Sequence, residues 1–439
     1  MTPDRLRTLL PQRDARSYHD LPVADRLWLA TLSIANGLPF AFFFLLVVFF
    51  KRMGLNNSTV TFNIAWALLP WALRPFCHYL FRKIGWSKDI WLLASELCVS
   101  GSLLLMAEAI GGDHWFQYIM ALAFVLSGAA MVHNMATESS YRAITADAYP
   151  VMLRPLFIIY HALALLFGTG VLVMVAGNIE VMTRQPQYAW SLALRLAAAS
   201  YALLWLWHLA MIWRRTDKDT PYDDTSDIQT WREMTGALRL FAGKKTVSIG
   251  ALYFLFYLMP QGFTLLALPL FLIDSVHRGG LGMAPQECAL AAGTVGVMGL
   301  CAGCLLCILL QKCHRSAQAM VPMSLCNALP ALSGVLLSQT MPSSLLVVSV
   351  LLFTGYAGLG MAVTGCVSFL SYYSCGKYKW VFYSTGIALF FLSCMASAMY
   401  SGALQRYYGY PAYFTLALAT CALSVVATVV LVRICFKKA

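Results

Sequence analysis

The sequence predicts an all-α polytopic membrane protein with twelve transmembrane helices arranged as six plus six. Hydrophobic residues make up 60% of the 439 residues and charged residues only 11%. A soluble core does not hide this much apolar surface, whereas lipid does. About twelve apolar stretches are each long enough to cross a bilayer as a helix. They are longer and less interrupted than the alternating strands of a membrane β-barrel.

The predicted spans lie in two groups of six on either side of a charged segment. Spans 1 to 6 are 27–50, 58–81, 90–110, 116–145, 151–176 and 188–213, and spans 7 to 12 are 247–273, 288–310, 319–339, 344–373, 380–404 and 411–436. The resulting organisation is a cytoplasmic tail (1–26), a first bundle (27–213), a cytoplasmic linker (214–246) and a second bundle (247–439). Residues 27–50 are predicted to be a retained span, because no small-residue cleavage site follows closely.

The net charge of +12 is explained by membrane topology rather than by nucleic-acid binding. With the N-terminus in the cytoplasm, 24 of the 31 Lys and Arg residues lie on the cytoplasmic side and five on the other. Arg74 and Arg195 lie within spans. This asymmetry follows the positive-inside rule, so both termini are expected in the cytoplasm.

The linker is expected to contain an amphipathic helix. Ser226 is a candidate N-cap with Gln229 three residues later, and Ile228, Trp231, Leu238 and Phe241 follow on one face. Such a helix is expected to lie on the cytoplasmic membrane surface. For the first half of the linker, a solvated connector is the alternative.

Ionisable groups inside spans are costly and usually face a cavity or a partner. Span 4 carries Asn134, Glu138 and Arg142 at four-residue spacing, which places them on one helix face. Arg74 of span 2 lies at a depth where either Glu138 or Glu96 of span 3 is a possible partner. An Arg74–Glu96 pair would be a structural tie, whereas Glu138 would face the cavity as a protonatable or solute-binding carboxylate.

Corresponding spans of the two halves are interrupted by glycine and proline. Asn36-Gly37-Leu38-Pro39 interrupts span 1 and Leu258-Met259-Pro260-Gln261-Gly262 interrupts span 7. Paired interruptions of this kind indicate a binding site between the halves of a transporter. The residues predicted to line the solute or proton pathway are Asn36, Asn63, Arg74, Asn134, Glu138, Arg142, His161, Gln261 and Tyr372. For His161, hydrogen-bonded packing and a proton relay are both open.

Several short segments between residues 27 and 430 carry a recognisable pattern: 36–39, 51–55, 69–71, 74–76, Phe271-Leu272-Ile273-Asp274, 279–283, 293–297, Gly376-Lys377-Tyr378-Lys379 and Tyr383-Ser384-Thr385-Gly386. In their order and spacing these segments resemble the AmpG-type permeases, the muropeptide branch of the major facilitator superfamily. The resemblance implies proton-driven import of anhydro-sugar muropeptides across a bacterial inner membrane. It also implies acids at the positions of Asn134, Glu138 and Gln261, of which only Glu138 is an acid here. An amide does not carry a proton at physiological pH, so Glu138 is the remaining candidate for coupling.

The sequence therefore predicts a monomeric secondary transporter that imports a polar solute by alternating access. No enzyme activity, cofactor or metal is expected, because the sequence has no nucleophile elbow, metal cluster or phosphate loop. Two alternatives stay open. One is an uncoupled facilitator of another sugar or peptide derivative, and the other is a transport-dead membrane sensor or complex subunit.

Overall fold

The computed structural model describes residues 21–145, 155–214, 230–243, 245–313, 316–374 and 378–436. Helices joined by short turns make up these ranges, and no β-strand occurs within them. The predicted all-α class is confirmed.

The first half contains six helical elements that match predicted spans 1 to 6. They are α1 (Val23–Arg52), α2 (Asn57–Trp66, Leu69–Ala72 and Arg74–Ile84), α3 (Lys88–Ala109), α4 (Trp115–Thr145), α5 (Pro155–Leu165, Leu166–Leu172 and Val173–Thr183) and α6 (Pro186–Arg214).

The second half follows a linker helix, Trp231–Gly243. Its elements are α7 (Lys245–Tyr257 and Met259–Ile273), α8 (Pro285–Cys288, Ala289–Gly296 and Val297–Cys313), α9 (Ser316–Cys326 and Leu329–Thr340), α10 (Leu345–Tyr373), and one long helical run, Lys379–Phe436.

This long run contains two predicted spans, because the chain turns back at Gly409. Gly409 has φ 74° and ψ 164°, which is outside the helical region. Directly after it, Tyr410 donates to Asp274 at the end of α7, and Ser424 donates to the Tyr257 carbonyl in the middle of α7. The second part therefore runs antiparallel to α7. We name the part before Gly409 α11 and the part after it α12.

In the described ranges, ten helices are long and apolar enough to cross a membrane. The long run counts once among the ten although it covers spans 11 and 12, and α2 is absent because it is broken into short segments. The twelve-span count and the cytoplasmic termini stay predictions.

The predicted interruption of span 1 is wrong, since α1 is one continuous helix with Pro39 inside it. A proline cannot donate to the carbonyl four residues earlier, which here belongs to Ala35. The Tyr201 hydroxyl of α6 donates to that carbonyl at 2.9 Å. A neighbouring helix thus replaces the lost hydrogen bond, and α1 continues.

The predicted interruption of span 7 is confirmed. The backbone N–H of Gln261 donates to the Leu258 carbonyl at 3.0 Å. The Tyr257 carbonyl, four residues before Gln261, therefore lacks its usual helical partner. Asn327 of α9 and Ser424 of α12 donate to that carbonyl instead, at 2.5 and 3.0 Å. The break in α7 is therefore held by side chains of two other helices.

The linker helix packs against helices of the bundle. Thr230 and Glu233 form its capping box, while the predicted cap at 226–229 falls outside the described residues. Trp231 stacks on Phe76 of α2, and Phe241 stacks on Phe254 of α7. The apolar face expected to meet lipid therefore contacts both halves of the bundle.

Candidate functional site

Arg74, Asn134 and Glu138 form a buried cluster, here called the arginine cluster. Arg74 begins the last segment of α2 after the break at Leu73. Its Nη1 donates to Asn134 Oδ1 at 2.7 Å and its Nη2 to Glu138 Oε2 at 2.6 Å. Asn134 and Glu138 share one face of α4, as their four-residue spacing predicts. Side-chain exposure is 1% for Arg74 and 16% for Glu138.

The arginine cluster lies where the two halves of the bundle meet. The ring of Tyr383 from α11 is 6.0 Å from Arg74 Cζ, within range of a cation–π contact. His78, one turn after Arg74, is hydrogen-bonded to Ser384 Oγ at 2.6 Å. The Oε1 atom of Glu138 is buried and has no hydrogen-bond partner among the described residues. The cluster thus keeps one carboxylate oxygen available to accept a hydrogen bond at the boundary between the halves.

The Arg74–Glu96 ion pair predicted as one alternative is wrong. Glu96 accepts hydrogen bonds from His133 of α4 at 3.0 Å and from His208 of α6 at 2.5 Å. His133 and Asn134 are consecutive, so they point about 100° apart around α4. One side of α4 faces α3 and the other faces α2. Glu96 and Arg74 therefore meet different sides of the same helix.

The pair of histidines around Glu96 was not predicted as a site. His133 lies next to Asn134 in span 4, and His208 is a single imidazole within an apolar span. Asn36, a predicted pathway residue, is hydrogen-bonded to His133 Nδ1 at 2.9 Å. The sequence signal was a histidine in each of two spans that neighbour the one carrying Glu96.

Three further predicted pathway residues, Asn63, His161 and Gln261, make contacts outside these clusters. Asn63 donates to the Thr59 carbonyl of its own helix at 2.8 Å. The ring of His161 lies 6.0 Å from that of Phe40. Gln261 Nε2 donates to the side chain and the carbonyl of Asn327, at 2.5 and 2.8 Å. The side chains of Arg142 and Tyr372 fall outside the described residues.

A second polar cluster joins the halves at the end of the bundle that carries the α1–α2 turn. We call it the outer cluster, because the topology predicted from the charge distribution has this end outside the cytoplasm. Lys51 Nζ lies 3.1 Å from Asp274 Oδ1 and 2.7 Å from Asn57 Oδ1. Asn57 Nδ2 is within 3.0 Å of Asp274, Gln405 and Tyr410.

The outer cluster was not predicted, although Asp274 ends the apolar run at 271–273. Its side chain is 3% exposed, and that of Lys51 is 6% exposed. Both charges are therefore withdrawn from water when the outer ends of the halves meet. Within the described part of the chain, no group of three His, Cys, Asp or Glu side chains is arranged to hold a metal ion.

Three solved structures share this architecture. The D-xylose–proton symporter aligns with a TM-score of 0.63 at 15% identity, covering 93% of this chain and 96% of that one. The nucleoside transporter NupG gives 0.61 at 13% identity, and an alanine variant of it gives 0.64 at 14% identity. Both cover 93% of this chain and 98% of NupG.

The chain has the fold of these transporters. At such low identity the likeness establishes the fold alone, and the names of all three neighbours are those of transporters. The expected all-α fold class agrees with this result. No protein-family model and no curated protein matches the sequence.

Proposed function

We propose that this protein is a secondary transporter that moves a polar solute between its two halves by alternating access. The observation that carries the proposal is the arginine cluster, which places a guanidinium, an amide and a carboxylate at the boundary between the halves. Ionisable groups at such a place in a membrane bundle usually serve transport. The names of the structural neighbours, a xylose symporter and nucleoside transporters, agree with a hydroxylated solute.

The solute we propose is a muropeptide or anhydro-sugar from cell-wall turnover, imported across a bacterial inner membrane by a monomer. The residue similarities to AmpG-type permeases support this choice. The chemistry of the cluster agrees with it, because Arg74 suits a peptide carboxylate, and Asn134 and Glu138 suit hydroxyl and amide groups. Trp71 lies one turn before Arg74 and stacks on Phe391 of the other half, with ring centroids 4.6 Å apart. Separation of the halves would free its face for a sugar ring.

Proton coupling follows from competition for Arg74. A solute carboxylate that takes the guanidinium leaves Glu138 without its counter-charge in a nearly dry site. A carboxylate in that position takes up a proton, because the neutral acid avoids the cost of a buried charge. Solute binding and proton uptake would thus occur together, and release of the solute would return Glu138 to Arg74.

The test is uptake of a labelled anhydromuropeptide into proteoliposomes, with and without an inward proton gradient. We expect gradient-stimulated uptake that is lost in Glu138→Gln. Glu108→Gln is the matched control, since Glu108 forms an exposed pair with Arg195 at 3.1 Å, and it should transport normally.

Other outcomes separate the alternatives. Uptake that is the same with and without the proton gradient would identify an uncoupled facilitator. Binding without flux would identify a sensor or complex subunit. If the folded protein shows no uptake and no binding of the muropeptide, the muropeptide assignment is refuted.

A further inference from the structure

Inside the first half, two buried histidines contact the same carboxylate oxygen of a buried glutamate. Glu96, His133 and His208 each have 0% exposure. Both imidazoles bond Glu96 Oε1, at 3.0 and 2.5 Å, while Oε2 has no hydrogen-bond partner among the described residues. We call this group the histidine cluster. The proposed transport route through Arg74 and Glu138 does not use it.

The hydrogen-bond partners of His133 favour a protonated ring. Its Nε2 faces a Glu96 oxygen, and its Nδ1 faces Asn36 Oδ1 at 2.9 Å and the Thr137 hydroxyl at 3.5 Å. The carboxylate and amide oxygens are both acceptors, which favours an N–H donor on each ring nitrogen. His208 has no such requirement. Its Nδ1 donates to Glu96, and its Nε2 can accept from the Thr31 hydroxyl at 3.0 Å.

The charge balance supports the same assignment. A buried carboxylate without water or a counter-charge is unfavourable, and a single imidazolium beside it removes the net charge. With His133 charged and His208 neutral, the histidine cluster has zero net charge. Loss of the His133 proton would leave one negative charge shared with two neutral imidazoles.

The side chains packed around the histidine cluster do not compete for this proton. From α1 the neighbours are Trp28, Thr31 and Asn36, which do not titrate at physiological pH. From α6, the Tyr201 hydroxyl donates to the Ala35 carbonyl at 2.9 Å. Arg74 and Glu138 form their ion pair on the other side of α4.

We propose that Glu96, His133 and His208 form a buried proton-binding site that carries one exchangeable proton on His133 at neutral pH. The site is separate from the arginine cluster but is attached to it, because His133 and Asn134 are consecutive in α4. A shift of α4 during the transport cycle would move both clusters together.

The proton site is tested without transport by nitrogen-15 NMR of histidine-labelled protein in lipid nanodiscs. His133→Gln and His208→Gln identify the two rings by the resonances that they remove. At pH 7 we expect an imidazolium pattern for His133 and a neutral ring for His208. In Glu96→Gln, His133 should show a neutral ring, whereas in Glu108→Gln, a substitution at the exposed end of the same helix, it should stay charged.

Two results would overturn the proposal. One is a neutral ring for His133 in the unmodified protein, because the proton would then not be on His133. The other is an imidazolium that persists in folded Glu96→Gln protein. Because neither result involves a solute, they differ from a failure of the transport assignment.

Discussion

The outer cluster offers a sharp test of the closed outer end, through the substitution Asp274→Asn. Asp274 and Lys51 come from different halves, and their charged atoms lie 3.1 Å apart with both side chains buried. Removing the carboxylate charge leaves the Lys51 ammonium buried without a counter-charge, with neutral amide oxygens such as Asn57 Oδ1 as its acceptors. Lys51 would return to water if the outer ends separated. The substitution therefore destabilises the closed arrangement more than the open one.

The size of the effect follows from the burial. Breaking a buried ion pair by removing one partner costs about 3–5 kcal/mol. Since about 1.4 kcal/mol corresponds to a tenfold change, the ratio of open to closed molecules should rise by roughly two to three and a half powers of ten. Arg278→Gln should do little, because Arg278 is 3.8 Å from Asp274 and its side chain is 66% exposed.

The assay is labelling of Thr61→Cys by a membrane-impermeant maleimide. Thr61 is fully buried beneath the outer cluster, where its hydroxyl accepts from the Gly402 amide of α11 at 3.1 Å. We expect slow labelling in the parent and in Arg278→Gln, and fast labelling when Asp274→Asn is added. Protein without Thr61→Cys corrects for the 13 native cysteines.

Unchanged labelling in folded Asp274→Asn protein would refute this account of the closed end. A double variant, Lys51→Met with Asp274→Asn, adds a second check. It removes the stranded ammonium together with its partner, so labelling should fall back toward the parent rate.

Three further predictions concern stability, measured as the midpoint of thermal unfolding in detergent. Gly303→Ala should lower this midpoint strongly, because the new methyl group would clash with the Ala357 carbonyl oxygen of α10. Gly101→Ala is the control, since its methyl group would meet open space and should leave the midpoint unchanged. Asn327→Ala should cost about 1–3 kcal/mol, because it removes a donor to the carbonyl freed by the break in α7. Thr230→Ala should cost only about 0.5–2 kcal/mol through loss of the linker-helix cap, and a larger loss than in Asn327→Ala would contradict this ranking.

Patterns among neighbouring residues were sufficient to predict the helices and part of the candidate site. Span positions depend on stretches of about 20 apolar residues, and a helical face depends on four-residue spacing, so both can be predicted from neighbouring residues. The shared face of Asn134 and Glu138 was predicted in this way, and the structure places Arg74 against it. The break in α7 was equally visible, because proline removes a backbone donor wherever it occurs.

Partner choice was not visible in the sequence. Depth alone allowed Arg74 to meet Glu96 or Glu138, and the rotation of α4 decided between them. The fate of Pro39 also depended on another helix, since the Tyr201 hydroxyl lies 166 positions away from the carbonyl that it satisfies. The Asn57–Asp274 contact spans 217 positions and has no local signal.

The sequence by itself determined the class of protein, the helices and the polar faces, because each depends on which residues are close along the chain. The tertiary structure alone decided which buried charges neutralise one another. A buried charge is stabilised by whichever opposite group lies within a few ångströms, and only the packing and rotation of helices set that distance. That is why Glu96 is found with two histidines, and Lys51 with an aspartate from the other half.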